Sequence, residues 1–315
     1  MKPPEGGPSV PATGGRAVMF PGQGSQRPGM FHPLREAGPA IGRLLEQADH
    51  ILGFPLQRLE EPPDGGALHR TENAQPALFV CCLAAWHTLR ARQPFEPRVL
   101  LGHSLGEFTA LCAAESVSFE DGLRLVQRRG RVMAGADSEG GMVAVLGLPA
   151  QVVEARLAEI PDHGVVISNY NAPRQVVLSG PATELERLAP LLRQAGARGV
   201  IRLKVSVACH SPRMQQAAEE LCACLEKIPL SRPRWPVLSN VTGRPHGEPE
   251  EIRRLLLRQL SAPVRFEECV RWALGQGARE FVEVGPGDVL RGLVRQIDPS
   301  CRLTGCDGSG TQGAT

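Results

Sequence analysis

The sequence predicts an α/β fold in which a short, mostly parallel β-sheet is flanked by helices and a smaller unit is inserted into the chain. Three observations support this prediction. Apolar, strand-like runs alternate with helical patterns along most of the 315 residues. A serine between two glycines directly follows one of these runs, at the start of a helical pattern. The stretch from Gly140 to Lys204 shows its own order of strands and helices.

The ordered part of the chain is expected to begin with a strand and a glycine-rich loop. Arg16–Phe20 has the pattern of a short buried strand, and Pro21–Gln26 that of a loop whose backbone can approach a ligand closely. The loop lacks the Lys-Ser/Thr ending of a P-loop and the third glycine of a dinucleotide-binding loop, so we predict neither. Helical patterns follow at residues 40–52, 75–90 and 119–134.

The most informative stretch lies between the last two of these helices. The apolar run Val99–Leu101 leads into Gly102-His103-Ser104-Leu105-Gly106, where a helical pattern begins. A strand, a sharp turn and a helix, with glycine two residues either side of a serine, is the pattern of a nucleophile elbow. Free backbone N–H groups at the start of the helix favour the negative charge of an oxyanion. The alternative is a glycine-rich turn in which the serine only caps the helix.

The order of elements changes after residue 139. Strands are predicted at 142–147, 165–168, 175–178 and 200–203, and helices at 149–159 and 182–195. The resulting βαββαβ order is that of a ferredoxin-like unit. We therefore predict a small inserted subdomain that spans residues 140–204.

Strands and helices alternate again after the insert. A strand-like stretch leads to His210, others cover Trp235–Asn240 and Glu280–Val284, and helices are predicted at 250–260 and 289–297. The large subdomain would then comprise residues 16–139 and 205–304. Residues 1–15, rich in Pro and Gly, and residues 305–315, rich in Gly, Ser and Thr, are expected to be a disordered leader and tail.

Composition narrows the class of function. A formal net charge of +2 and a hydrophobic content of 42% are typical of a globular protein, and they point to neither nucleic acid nor a membrane as partner. No apolar run approaches the ~20 residues that a membrane helix needs. The nine cysteines contain no Cys-x-x-Cys pair, so we expect no metal site and a reducing compartment. We expect a cytoplasmic monomer.

A serine hydroxyl is a poor nucleophile until a base removes its proton, so the elbow needs a histidine. His103 is adjacent to Ser104, and neighbouring side chains diverge on a tight turn. His210 lies between a strand-like stretch and a helix, where a site at the end of the sheet would place its base. No acid stands out between Ser104 and His210, which argues against an ordinary esterase triad.

Ten short motifs then follow one another along the chain. They are Phe20–Gln26 (FPGQGSQ), Gln75–Ala77 (QPA), Gly102–Glu107 (GHSLGE), Arg124–Arg129 (RLVQRR), Asn169–Asn171 (NYN), His210–Ser211 (HS), Ser239–Gly243 (SNVTG), Gln259–Leu260 (QL), Pro263–Val264 (PV) and Glu283–Gly287 (EVGPG). In these motifs the chain resembles the malonyl-CoA:acyl carrier protein transacylases and the acyltransferase domains of polyketide synthases. The resemblance implies an α/β-hydrolase-like body with a ferredoxin-like insert, in agreement with the pattern of elements.

The resemblance also implies a catalytic dyad without an acid. Ser104 would accept the acyl group and His210 would be its general base, with the backbone carbonyl of Gln259 orienting the imidazole. The oxyanion hole would be formed by the backbone N–H groups of Gln23 and Leu105.

The substrate pocket is implied in the same way. Arg129 would pair with the free carboxylate of a malonyl group, a task that suits the bidentate fork of a guanidinium. Gln75, His103 and Cys209 would line the pocket. At the position of Cys209, malonyl-selective polyketide domains often have an aromatic residue and methylmalonyl-selective ones a serine, so a branched extender stays open beside malonyl.

The expected function is transfer of a malonyl or related dicarboxylic acyl group from CoA to the phosphopantetheine thiol of an acyl carrier protein, through a serine ester. No bound cofactor is expected, because the CoA thioester is the substrate. One alternative is an editing hydrolase that uses the same dyad with water to clear acyl groups from carrier proteins. Another is a catalytically silent binding module, which the presence of Ser104, His210 and Arg129 disfavours. The sequence does not separate fatty acid from polyketide assembly.

Overall fold

The computed structural model describes residues 15–60, 66–136, 139–205, 207–308 and 311–312. The strands found there are β1 (Gly15–Phe20), β2 (Val99–Gly102), β3 (Gly140–Leu146), β4 (Val166–Ala172), β5 (Gln175–Pro181), β6 (Gly199–Arg202), β7 (Ala278–Val284), β8 (Arg302–Cys306) and β9 (Thr311–Gln312). The α-helices are α1 (His32–Arg35), α2 (Pro39–Leu52), α3 (Thr71–Arg92), α4 (Leu105–Ala113), α5 (Phe119–Gly135), α6 (Ala150–Ala158), α7 (Ala182–Gln194), α8 (Gln215–Leu225), α9 (Pro249–Gln259), α10 (Phe266–Gly275) and α11 (Val289–Ile297).

The main sheet is mostly parallel, as the alternation of strands and helices predicts. Its order is β2-β1-β7-β8-β9, and only β9 runs antiparallel to its neighbour. In the register, Val18 of β1 lies between Leu100 of β2 and Val282 of β7. These residues are buried because helices cover both faces of the sheet, which explains why the strands read as continuous apolar runs.

Residues 140–202 form a second sheet with its own apolar cluster. The strands are antiparallel in the order β4-β5-β3-β6, and α6 and α7 connect them in the predicted βαββαβ sequence. β4 is longer than predicted and includes Asn171. It joins the main body by two backbone hydrogen bonds, from Tyr170 N to Val264 O and from Val264 N to Ser168 O, both 2.8 Å long.

The prediction of a disordered tail from residue 305 is wrong in part. Gly305 and Cys306 complete β8, and Gly305 lies opposite Gln312 of β9. The composition is misleading here because strand pairing uses only backbone atoms, which every residue has. Gly305 also leaves room for the Arg291 guanidinium, whose central carbon is 3.0 Å from the position that a Cβ would occupy. At the other end β1 begins at Gly15, one residue earlier than predicted, and the rest of the leader lies outside the described residues.

Two predicted strands are irregular segments. In Trp235–Asn240 only isolated bridges form, between Leu100 and Val237 and between Leu238 and Pro245. The described residues before His210 are not a strand either. Both segments are nevertheless largely buried, so an apolar pattern alone does not distinguish them from strands. Trp235–Asn240 makes single backbone hydrogen bonds, such as that from Leu238 N to Leu100 O, in place of a continuous ladder. None of the described helices combines the length and apolar character needed to cross a bilayer.

Candidate active site

The turn between β2 and α4 has the geometry of a nucleophile elbow. Its two glycines are required because a side chain at either position would collide with backbone atoms. A Cβ on Gly102 would stand 1.9 Å from the carbonyl carbon of Gly106, and one on Gly106 would stand 1.9 Å from the Phe20 oxygen. Ser104 at the apex has φ 52° and ψ −105°, a conformation that non-glycine residues rarely adopt. The strained apex is held by Asn240, whose Oδ1 accepts from Ser104 N at 2.6 Å and whose Nδ2 donates to the Gly102 carbonyl at 2.7 Å.

Ser104 and His210 form a dyad. Ser104 Oγ lies 2.7 Å from His210 Nε2, and His210 Nδ1 lies 2.7 Å from the backbone oxygen of Gln259. A carbonyl oxygen can only accept, so Nδ1 carries the proton and Nε2 is the nitrogen that accepts from the serine hydroxyl. The geometry predicted for the base, with Gln259 in place of an acid, is therefore present.

The imidazole of His210 is held neutral. Burial lowers its pKa to about 3, the positive charge of Arg129 adds to the effect, and the hydrogen bond to Gln259 opposes it. A neutral ring is the form that can take a proton from Ser104. The backbone at His210 has φ 56°, and the preceding carbonyl, that of Cys209, accepts a 2.6 Å hydrogen bond from Ser179 Oγ on β5.

Arg129 on α5 places a buried guanidinium beside the nucleophile. It is 1% exposed, and its polar contacts are Gln75 Oε1 at 2.7 Å, Ser104 Oγ at 3.0 Å and Gln259 Oε1 at 3.0 Å. These partners are two amides and a hydroxyl, none of them a carboxylate, and Nε is without a partner in the described part of the chain. Burial lowers the pKa of Arg129 to about 10, so the side chain remains charged at neutral pH.

Seven of the nine predicted site residues line one cavity of about 290 Å³. They are Gln23, Gln75, His103, Ser104, Arg129, Cys209 and His210. The Gln259 and Leu105 side chains lie behind this surface. The backbone N–H groups of Gln23 and Leu105 donate to no protein acceptor among the described residues. His103 Nε2 pairs with Asn171 Oδ1 at 2.8 Å, so that ring is not directed at Ser104.

Sequence reasoning gave no role to the polar residues behind the dyad. Asn240 and Glu107 belong to the quoted motifs, and both are fully buried next to the elbow. His246, which had no supporting motif, is buried against the Glu107 carboxylate at 2.7 Å. Within the described residues, no cluster of His, Cys, Asp and Glu side chains is arranged to hold a metal ion.

A serine at a sharp strand–helix turn, hydrogen-bonded to a neutral imidazole, is the arrangement found in enzymes that form an acyl ester on serine. A family model described as the acyl transferase domain matches residues 18–303, in agreement with this arrangement. The chain belongs to this acyl transferase family, within the group of malonyl CoA-acyl carrier protein transacylases.

Three relatives illustrate the match. The malonyl CoA-acyl carrier protein transacylase of Haemophilus influenzae is 38% identical over 286 residues, which cover 89% of this chain and 91% of that protein. The polyketide biosynthesis protein ThaF of Burkholderia thailandensis is 42% identical over 304 residues, covering 94% of this chain but only 26% of the longer protein. A solved complex of a type II polyketide synthase acyl-carrier protein with its malonyl-transacylase superposes with a TM-score of 0.89 at 35% identity, covering 92% of this chain and 95% of that one. None of these is named a hydrolase, so the editing alternative gains no support.

Proposed function

We propose that this chain transfers a malonyl group from CoA to the phosphopantetheine thiol of an acyl carrier protein. In the first half-reaction, His210 Nε2 takes the proton of Ser104 while Oγ attacks the thioester carbonyl. The oxyanion is stabilised by the free N–H groups of Gln23 and Leu105. The C–S bond then breaks, the CoA thiolate takes the proton from His210, and the malonyl group remains as an ester on Ser104.

The second half-reaction reverses these steps with a different thiol. His210 accepts the proton of the carrier thiol, whose sulfur attacks the ester carbonyl. The C–O bond breaks, and Ser104 recovers its proton from His210. The carrier thus leaves with the malonyl thioester, and the enzyme returns to its starting state. The names of the relatives, and the solved complex of one neighbour with a carrier protein, support this choice of acceptor.

The observation that carries the choice of acyl group is the position of Arg129. In a malonyl ester on Ser104 the free carboxylate is only two C–C bonds from the ester carbonyl, so its partner must lie beside the nucleophile. The Arg129 guanidinium is 3.0 Å from Ser104 Oγ, charged, and not neutralised by a contacting carboxylate. An acyl group without a carboxylate would leave this charge unpaired in the cavity, which is costly.

The remaining features of the proposal concern the protein as a whole. The antiparallel sheet and its two helices support a ferredoxin-like subdomain of residues 140–204, inserted in an α/β-hydrolase-like body of residues 16–139 and 205–304. The nine cysteines are free thiols, which supports a cytoplasmic location. The reaction as written uses a monomer and no cofactor, since Ser104, His210 and the two amides belong to one chain.

Covalent labelling tests the proposal. The intact protein is incubated with malonyl-CoA and weighed by mass spectrometry, alongside Ser104→Ala and the control Ser25→Ala, a second serine of the same cavity. We expect a malonyl adduct on the wild type and on the control, discharged by a holo carrier protein faster than by water. Labelling of Ser104→Ala, or discharge that is indifferent to the carrier, would refute the assignment.

A further inference from the structure

Glu107, in the first turn of α4, is a fully buried carboxylate with no part in the chemistry described above. Its Oε2 accepts from the Gln259 amide nitrogen at 2.6 Å and from Asn240 N at 2.9 Å. Its Oε1 lies 2.7 Å from His246 Nε2. The charge is therefore enclosed by three donors, and two of the three belong to residues that contact Ser104.

The contact with Gln259 determines which way that amide faces. Both Gln259 N–H groups are used, one on Glu107 and one on the Ser104 carbonyl at 3.0 Å, so the amide oxygen is the atom left for Arg129. The opposite orientation would place the amide oxygen against two acceptors and the NH₂ group against the guanidinium. Glu107 thus fixes the orientation in which Gln259 can accept from Arg129.

The same residue also holds the base. The backbone oxygen of Gln259 accepts from His210 Nδ1, and Gln259 ends helix α9. One glutamine therefore positions the imidazole through its main chain and the guanidinium through its side chain. The side-chain contact depends on the anchor that Glu107 supplies, whereas the main-chain oxygen belongs to the last residue of α9 and does not need it.

Glu107 also provides a negative charge near Arg129: burial lowers the pKa of the guanidinium, and the charge of Glu107 opposes this effect. It reaches the guanidinium only through the Gln259 amide, so it balances the buried positive charge without occupying the guanidinium fork. A carboxylate in direct contact with Arg129 would compete with the substrate carboxylate.

We propose that Glu107 is a positioning residue that acts through the Gln259 side chain and aligns Arg129 for the carboxylate of the acyl group. This inference rests on the proposed function. It predicts that loss of the Glu107 charge harms the selection of a dicarboxylic acyl group more than it harms acyl transfer in general.

The test is Glu107→Gln, which keeps the size of the side chain and removes its charge. The rate of acyl-enzyme formation is measured by rapid quench and intact-mass analysis with malonyl-CoA and with acetyl-CoA. We expect the malonyl rate to fall about 10- to 100-fold, as for loss of a charge-assisted hydrogen bond, and the ratio of malonyl to acetyl rates to fall about tenfold. Equal losses for both substrates, or no loss, would overturn the inference.

Two further variants complete the design. Glu283→Gln removes another fully buried carboxylate, one that accepts from the backbone of Leu290 and Arg291, and should lower stability without changing the ratio. Gln259→Met keeps the main-chain contact to His210 and removes the side-chain amide, so the ratio of malonyl to acetyl rates should fall as it does in Glu107→Gln. This variant replaces Glu107→Gln in the test if Glu107→Gln does not fold. An unchanged ratio in Gln259→Met overturns the inference about Glu107. If the wild type is still labelled at Ser104, the proposed function is unaffected by that result. An unlabelled wild type overturns both.

Discussion

Replacement of Arg129 by alanine separates the recognition of the acyl group from the chemistry of its transfer. The wild-type guanidinium is buried and charged, and a malonyl carboxylate would receive at least two charge-assisted hydrogen bonds from it. At about 1.5–3 kcal/mol each, with part of the loss recovered by water in the vacated space, the net cost is about 3–4 kcal/mol. That corresponds to a loss of about 10²- to 10³-fold in kcat/KM for malonyl-CoA.

Acetyl transfer should respond differently to the same substitution. Arg129 donates to Ser104 Oγ, and its charge lowers the pKa of His210. Removing it therefore frees the hydroxyl and makes the imidazole a stronger base, and both changes favour attack on an acyl group that needs no carboxylate partner. We expect acetyl-CoA to be used at an unchanged or higher rate.

The assay is steady-state transfer to a holo carrier protein, followed with both acyl-CoAs, wild type and variant being compared at equal folded fraction. Arg128→Ala is the matched control, because that arginine lies on the same helix but is exposed and pairs with Glu220. Equal losses of malonyl and acetyl transfer in Arg129→Ala would refute the reasoning, since they would mean that the guanidinium supports the fold or the dyad and not the substrate carboxylate.

Three other predictions follow from the same geometry. The pKa of His210 is about 3 in the folded protein and about 6.5 in the unfolded chain, so the unfolded chain takes up the proton first as the pH falls. The free energy of unfolding should therefore decrease below about pH 6.5, by about 2–3 kcal/mol at pH 4.5. Urea unfolding should show this decrease in the wild type and not in His210→Gln. Gly106→Ala should prevent folding or cost more than about 3 kcal/mol in thermal unfolding, whereas Gly42→Ala, in open space on α2, should add about 0.5–1 kcal/mol; equal effects would contradict the steric argument. Ser179→Ala breaks the hydrogen bond to the Cys209 carbonyl and should slow serine acylation several-fold, measured at equal folded fraction because the buried carbonyl that loses its donor also costs about 1–3 kcal/mol of stability. An unaltered rate would show that this contact does not position the base.

The elbow was predictable because its requirements are local. Gly102 and Gly106 are fixed by collisions with atoms a few residues away or on the neighbouring strand, and such constraints leave a short pattern in the sequence. The order of strands and helices in 140–202 was equally readable, because each element carries its own apolar period. Residues alone, however, named His210 only as a candidate, and the roles of Arg129 and Gln259 came from the resemblance to a family.

What the sequence did not reveal is the network behind the dyad. Glu107 lies more than a hundred positions from both Asn240 and His246, and the spacing of buried polar residues in a sequence does not indicate which of them will be in contact. Irregular but buried segments, such as the one that carries Asn240, have the apolar pattern of strands because burial alone determines that pattern. The hydrogen bonding that defines a strand depends on the neighbouring backbone, which the sequence pattern does not show.

His210 is held by contacts to both the main body and the smaller sheet. Its ring is tied to the main body at Gln259, while the peptide just before it is tied to β5 at Ser179. That smaller sheet also supplies Met142, Ala144 and Val177 to the wall of the cavity. Because β5 carries both Val177 of the wall and Ser179, we expect an acyl chain that displaces this wall to shift the peptide that precedes His210 as well.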